Sequence, residues 1–215
     1  MSVIDTEVFL AELDAIETPD DAEFLFDGAS PEGTLRRHNL LHYVELMGQI
    51  RPTVMLIGEA PGYRGHTVTG VPFMSLRELS ARPGLITGRA EGDGFRLPDD
   101  PVANWEASSA VVWKTLARWR GPLPLIWSSY PNHPFHRGSP LGNRTPRPAE
   151  VRAGIPIALE LARAFSIETF VAVGRKAQGA LAENGVHATA VRHPAQGGAV
   201  LFAEQLLRFN SEHPA

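Results

Sequence analysis

Apolar positions along the chain fall into helically spaced stripes separated by short, continuous apolar runs. Val8, Phe9, Leu10, Leu13 and Ile16 predict a helix over 5–16, stopped by Thr18-Pro19-Asp20. A second helix is predicted over 35–49, with Leu40, Leu41, Val44 and Met47 as its buried stripe, and the first strand over 53–57. Gly, Pro and Asp then recur without a period, so 65–100 reads mostly as loop, with one or two helical turns at 75–80. A helix over 105–119 places Val112, Leu116 and Trp119 on one face, and a strand over 123–128 precedes a second loop at 132–147. The rest alternates regularly: helix 148–165, strand 169–173, helix 175–184 ended by Gly185, strand 187–191 and helix 198–209. Such alternation predicts an α/β fold, a three-layer α/β/α sandwich on a short, mainly parallel four-stranded sheet, with 1–215 as a single domain.

Composition narrows the chemistry. With Cys 0, disulfides, thiolate-bound zinc and iron-sulfur clusters are excluded, which fits the cytoplasm. No stretch is long and apolar enough to span a bilayer, and the acidic start lacks the basic cluster of a signal or transit peptide. The net charge of -4 hides a division: residues 1–35 hold ten of the 24 acidic residues and none of the 20 basic ones, leaving the remainder six charges positive. This is compatible with an acidic amino-terminal helical segment turned away from a basic face, and at least as well with an ordinary acidic surface helix that has no bearing on a ligand. Charge permits a nucleic-acid partner without predicting one.

Two motifs carry the candidate chemistry. Val54-Met55-Leu56-Ile57-Gly58-Glu59-Ala60-Pro61-Gly62 runs a strand into a glycine-rich turn bearing one carboxylate. Ala188-Thr189-Ala190-Val191-Arg192-His193-Pro194-Ala195-Gln196-Gly197-Gly198 empties another strand into a loop bearing a histidine. In an α/β sheet both deliver polar residues to the carboxyl edge, where such folds bind ligands. The first is neither a phosphate-binding Walker loop nor a three-glycine dinucleotide fingerprint, and by itself Glu59 reads equally well as a turn carboxylate. Thr69-Gly70-Val71-Pro72-Phe73 can return an aromatic ring to the same cleft, as a core residue or as a platform for a nucleobase. His133 and His136 flank a proline and lack a third nearby ligand, so no metal site is expected.

Taken in order, these segments resemble the uracil-DNA glycosylase superfamily. Gly58 to Gly62 is similar to the first motif of its thermophile-associated branch, Gly70 to Phe73 to the base-stacking segment, and His193-Pro194-Ala195 to the second motif. Asn143-Arg144-Thr145-Pro146-Arg147-Pro148-Ala149-Glu150 resembles the Asn-Arg-x-Pro-x-x-x-Glu stretch of that branch. The resemblance implies a monofunctional DNA glycosylase of base-excision repair that acts on a nucleotide flipped out of the helix, as a monomer, without cofactor or metal. It implies that Glu59 and His193 are catalytic, the first toward water or the sugar cation and the second toward the base carbonyl. Gly58, Ala60, Phe73, Ser128 and Asn132 would hold the base. Arg192, Gln196, Gly197 and Gly198 belong to the loop that enters the minor groove, while Arg144, with Arg137 and Arg147, would contact phosphates.

The chain departs from the family pattern at three points. Lacking cysteines, it is expected to be a cluster-free relative of the iron-sulfur branch. Ala60 stands where the most active uracil-specific branch has aspartate. Ser128 stands where an asparagine commonly reads uracil, with Asn132 four residues on as a substitute. Uracil is the leading substrate expected, with hypoxanthine or xanthine as alternatives, and a catalytically weak lesion-binding module as a further one.

Overall fold

The computed structural model describes residues 4–213, so the extremes of the expected 1–215 span lie outside the described residues. The order of elements is α1 (Thr6–Asp14), β1 (Ala22–Glu23), α2 (Pro31–Ile50), β2 (Val54–Gly58), α3 (His66–Thr69), α4 (Leu76–Leu79) and α5 (Ala107–Leu116). There follow β3 (Leu125–Ser128), β4 (His133–Pro134), α6 (Pro148–Ala164), β5 (Thr169–Val173), α7 (Arg175–Glu183), β6 (Thr189–Val191) and α8 (Ala199–Glu212). The main sheet has the order β3-β2-β5-β6 and every pairing in it is parallel. All five residues of β2 are buried, as expected for an inner strand covered on both faces.

Parallel strands need crossovers, and right-handed crossovers fix the layers. From β2 the chain moves to the β3 edge through α5, then reverses past β2 to β5 through α6 and onward to β6 through α7. The reversal puts α5 on one face and α6 with α7 on the other. Contacts agree: α6 packs on α7, and α5 packs on α8. The β3 edge is closed by Tyr43 of α2, whose hydroxyl accepts from the Ile126 N–H (2.7 Å) and faces the Ile126 carbonyl (3.3 Å). The N–H and C=O of Ile126, which could template a foreign strand, are thereby satisfied. Among the described residues no helix is long and apolar enough to cross a membrane.

Helix starts follow local rules. Asp5 accepts from the Glu7 and Val8 amides, and Ser30 accepts from Gly33 N ahead of a first-turn Pro31. The long loop is more ordered than its composition suggested. Buried Asn39 of α2 clamps it through Thr69 O, Arg96 O and Arg96 N, each at 2.9 Å, and buried Asp93 accepts from the Ile86 and Thr87 amides.

One of the two readings of the acidic segment is overturned. The acidic amino-terminal segment is not turned away from the basic residues but folded onto them. Ala22–Glu23 pairs antiparallel with His133–Pro134, and Asp14, Asp20, Asp21 and Glu23 form ion pairs with Arg37, Arg137, Arg147 and Arg36. In the pairs of Asp20 with Arg137 and Asp21 with Arg147, opposite charges more than a hundred positions apart are drawn together by the fold, and a two-residue ladder has no period by which to be foreseen.

Candidate active site

The exits of β2 and β3 are locked to one another. Ser129 N and Ser129 Oγ both donate to Gly58 O at 2.9 Å, and Tyr130 N donates to Glu59 O at 3.2 Å. Beyond them, Pro61 O accepts from His133 Nδ1 (2.9 Å), and Asn143 Oδ1 accepts from Tyr63 N (3.1 Å). The turn is therefore held from outside on two sides. It presents the Glu59 side chain, 28% exposed, at the mouth of a cavity of about 920 Å³. Glu59 Oε1 is buried and takes no hydrogen bond, and the nearest cation is Lys176 Nζ at 3.5 Å.

Phe73 reaches the cavity because the backbone bends sharply at it, with φ at 51°. Few non-glycine residues tolerate that region, and such strain persists only where the surroundings dictate it. Here Trp113 Nε1 donates to Phe73 O (2.9 Å), while Thr69 Oγ1 accepts from Val71 N (3.1 Å) and donates to Met74 O (2.7 Å). The ring then lies directly on Gly58: a Cβ there would stand 2.6 Å from Phe73 Cε2.

His193 follows β6, and its ring centroid is 6.3 Å from that of Phe73. Its Nδ1 accepts from Ala195 N (3.1 Å), so the proton of the neutral ring sits on Nε2. Burial lowers its pKa, with a smaller contribution from the Arg192 charge, so the ring is neutral at neutral pH. The tight loop that permits this depends on Gly198, where a Cβ would come within 2.0 Å of His193 O.

Of the residues expected at the site, Glu59, Ala60, Phe73, Ser128 and His193 line this one cavity, together with Arg192 and Gln196 at its rim. Gly58 supports it from beneath Phe73, and Gly197 and Gly198 shape the adjoining loop. Two expectations are corrected. Asn132 does not enter the cavity: it is fully buried and its Nδ2 donates to Thr18 Oγ1 (2.9 Å), because the docked amino-terminal segment supplies that partner. Arg144 lines the cavity but is not free for phosphate. Its side chain is 8% exposed and is held by Glu150 (2.6 and 2.7 Å) and Asp21 (3.1 Å), and Arg147 shares both carboxylates.

Four titratable lining residues were not foreseen. Arg175 and Lys176 open α7 directly after β5, so the carboxyl-edge rule that picked out Glu59 would have found them too. Glu106, at the start of α5, offers a second carboxyl that accepts from Ser109 Oγ (2.6 Å). Burial raises its pKa, and the charge of Glu78 adds to this. His66 is buried, and desolvation, aided by Arg36 and His133, pushes its pKa down to about 3, leaving it neutral. Among the described residues no three His, Asp or Glu side chains converge as metal ligands.

A carboxylate, a neutral imidazole with its N–H free, a planar ring and a hydroxyl thus face one space. The set suits chemistry in which positive charge grows near the carboxylate and negative charge near the N–H. A family model described as the uracil DNA glycosylase superfamily matches residues 47–215. No curated protein matches. Among solved structures the chain is similar to the wild-type SMUG2 of Pedobacter heparinus, with a TM-score of 0.61 and 15% identity over 96% of this chain and 94% of that one.

Proposed function

The chain belongs to the uracil DNA glycosylase superfamily, and on that premise we propose that it hydrolyses the N-glycosidic bond of a flipped-out uracil in DNA, as a monofunctional enzyme of base-excision repair. The observation that carries this reading is the placement of Glu59 and His193 on one cavity with Phe73. The extruded base stacks on Phe73. As the bond to C1′ breaks, the base leaves with negative charge on its carbonyl oxygen, which the Nε2–H of His193 meets. That hydrogen bond, like the attraction of the Glu59 carboxylate for the sugar cation, is stronger in the transition state than before it, which is the condition for raising kcat. Glu59 faces the sugar cation and takes a proton from the water that adds to C1′. With alanine at position 60, the carboxylate does this alone.

Arg192, Gln196, Gly197 and Gly198 make the loop that approaches the minor groove, joined by Arg175 at the rim in the phosphate role first given to Arg144. The protein acts as a monomer in the cytoplasm without metal or cofactor, and no step above requires one.

A second reading changes only the base, to hypoxanthine or xanthine. It is favoured by Ser128, whose hydroxyl cannot pair with a carbonyl and an N–H as an amide does, and by the withdrawal of Asn132 onto Thr18. The test is excision from labelled oligonucleotides carrying uracil, hypoxanthine or xanthine, single- and double-stranded, with a Glu59→Gln, His193→Ala double variant as control. An abasic product that the control fails to make supports the glycosylase and names its base. Tight binding of these oligonucleotides by folded protein without any product overturns catalysis in favour of a lesion-binding module. Ser128→Asn is expected to raise uracil excision relative to the purine lesions; an unchanged ratio would remove Ser128 from the base-reading position.

A further inference from the structure

We infer that Lys176 is a positioning residue for Glu59, and that the 143–145 loop acts on the reaction through it. This rests on reading Glu59 as the carboxylate that faces the sugar. Among the described residues no group donates a hydrogen bond to the buried Oε1 of Glu59, which leaves the inner half of the carboxylate without a donor to fix its direction. A carboxylate in that situation needs a cation or it takes up several rotamers. Lys176 Nζ, 3.5 Å away, is that cation.

Lysine is a flexible arm and holds another group only if it is itself held. The ammonium of Lys176 is caught a second time, by the Thr145 hydroxyl. Thr145 in turn follows Arg144, which is bound to Glu150 of α6, to the Asp21 side chain and carbonyl, and to Phe135 O. A fixed chain of contacts therefore runs from the amino-terminal segment through Arg144, Thr145 and Lys176 to the reacting carboxylate. It accounts for an arginine beside the cavity that has no hydrogen-bonding face left for DNA. The other titratable groups on the cavity are Arg175 on α7, Arg192 and the neutral His193 beyond β6, Glu106 before α5, the neutral His66, and Arg144. For none of them is a contact with the Glu59 carboxylate found, so among the described residues Lys176 is the cation that sets its direction.

The experiment is a double-mutant cycle on steady-state excision, with wild type, Lys176→Met, Glu59→Gln and the pair. Lys176 is 60% exposed, so the substitution leaves the fold intact, which an unchanged Tm verifies. Lys176→Met is expected to lower kcat by roughly tenfold to a hundredfold, with KM within about twofold, as misdirection of a catalytic group does. In the Glu59→Gln background it should have no further effect, and Lys176→Arg should restore most of the lost kcat. Thr145→Val should reproduce a fraction of the loss in the same direction. The inference is overturned if the Lys176→Met loss persists undiminished beside Glu59→Gln, with KM raised and the salt slope of DNA binding reduced, which is the behaviour of a phosphate contact. Wild-type enzyme inactive on every lesion overturns the glycosylase reading and this inference with it; additive effects on an active enzyme overturn this inference alone.

Discussion

His193 shows how one backbone amide assigns a role. Because Ala195 N–H is aimed at Nδ1, the only proton the neutral ring can carry is on Nε2, and burial keeps the ring neutral. An imidazolium would bring a proton to the base but would have to be charged inside the cavity. His193→Ala removes the donor to the departing base and is expected to cost about 10² to 10³ in kcat with little change in KM. A KM effect alone would make His193 a binding group. Nitrogen chemical shifts of the free protein should show an unprotonated Nδ1. Phe73 depends equally on one neighbour. Gly58→Ala puts a methyl group 2.6 Å from its ring edge, too close for the ring to stay. Excision should fall while thermal unfolding shifts little, since the displaced ring is partly exposed and has the cavity to move into. Full activity in Gly58→Ala would mean that the ring is not the platform for the base.

At the scale of elements, the amino-terminal segment and α6 are joined by ion pairs in which Arg144, Asp21 and Glu150 are shielded and Arg147 is half exposed. Arg144 and Glu150 are 8% and 6% exposed, so removing the arginine takes from a buried carboxylate its closest cation and leaves it the Arg147 amide and the more distant Arg147 guanidinium. Arg144→Met is expected to destabilise the fold by roughly 3 kcal/mol, measured by urea unfolding. Its effect on DNA distinguishes the two roles considered for it: a phosphate contact would lower the salt slope by about 0.9, whereas an internal tie leaves the slope unchanged. Asp21 bears on the same junction. The hydrogen bond from Arg147, followed by the charges of Arg144 and Arg147, holds its carboxyl well below the usual carboxylate range. With the folded pKa depressed, this stabilisation is full above the ordinary value of 3.8 and is lost as pH falls below it.

For the whole molecule, acid sensitivity should begin earlier than Asp21 alone would make it, because of His66. Its ordinary pKa of 6.5 becomes about 3 in the fold, so between those values the unfolded chain binds a proton that the folded one refuses. Stability contributed by the neutral ring is therefore full above 6.5 and declines as pH drops toward 3. The gap in unfolding free energy between wild type and His66→Gln should change by about 1.4 kcal/mol per pH unit through that window. Parallel pH profiles for the two proteins would show that His66 is protonated in the fold. Sequence by itself determined the parallel sheet, most of the helices and the two strand-to-turn motifs, because these rest on local periodicity and on small residues within a few positions of each other. Glu59, His193 and Ser128 were legible for that reason: each sits at or just beyond a strand's carboxyl end, and the sheet order makes those ends converge, while Phe73 was legible from its own short segment after the first turn. Only the tertiary structure decided who pairs with whom. Arg144 meets Asp21 across 123 positions and Asn132 meets Thr18 across 114, and a charge or an amide carries no local mark of so distant a partner. Lys176 reached Glu59 in the same way, through the adjacency of β2 and β5 and the crossover that opens α7 at the cavity.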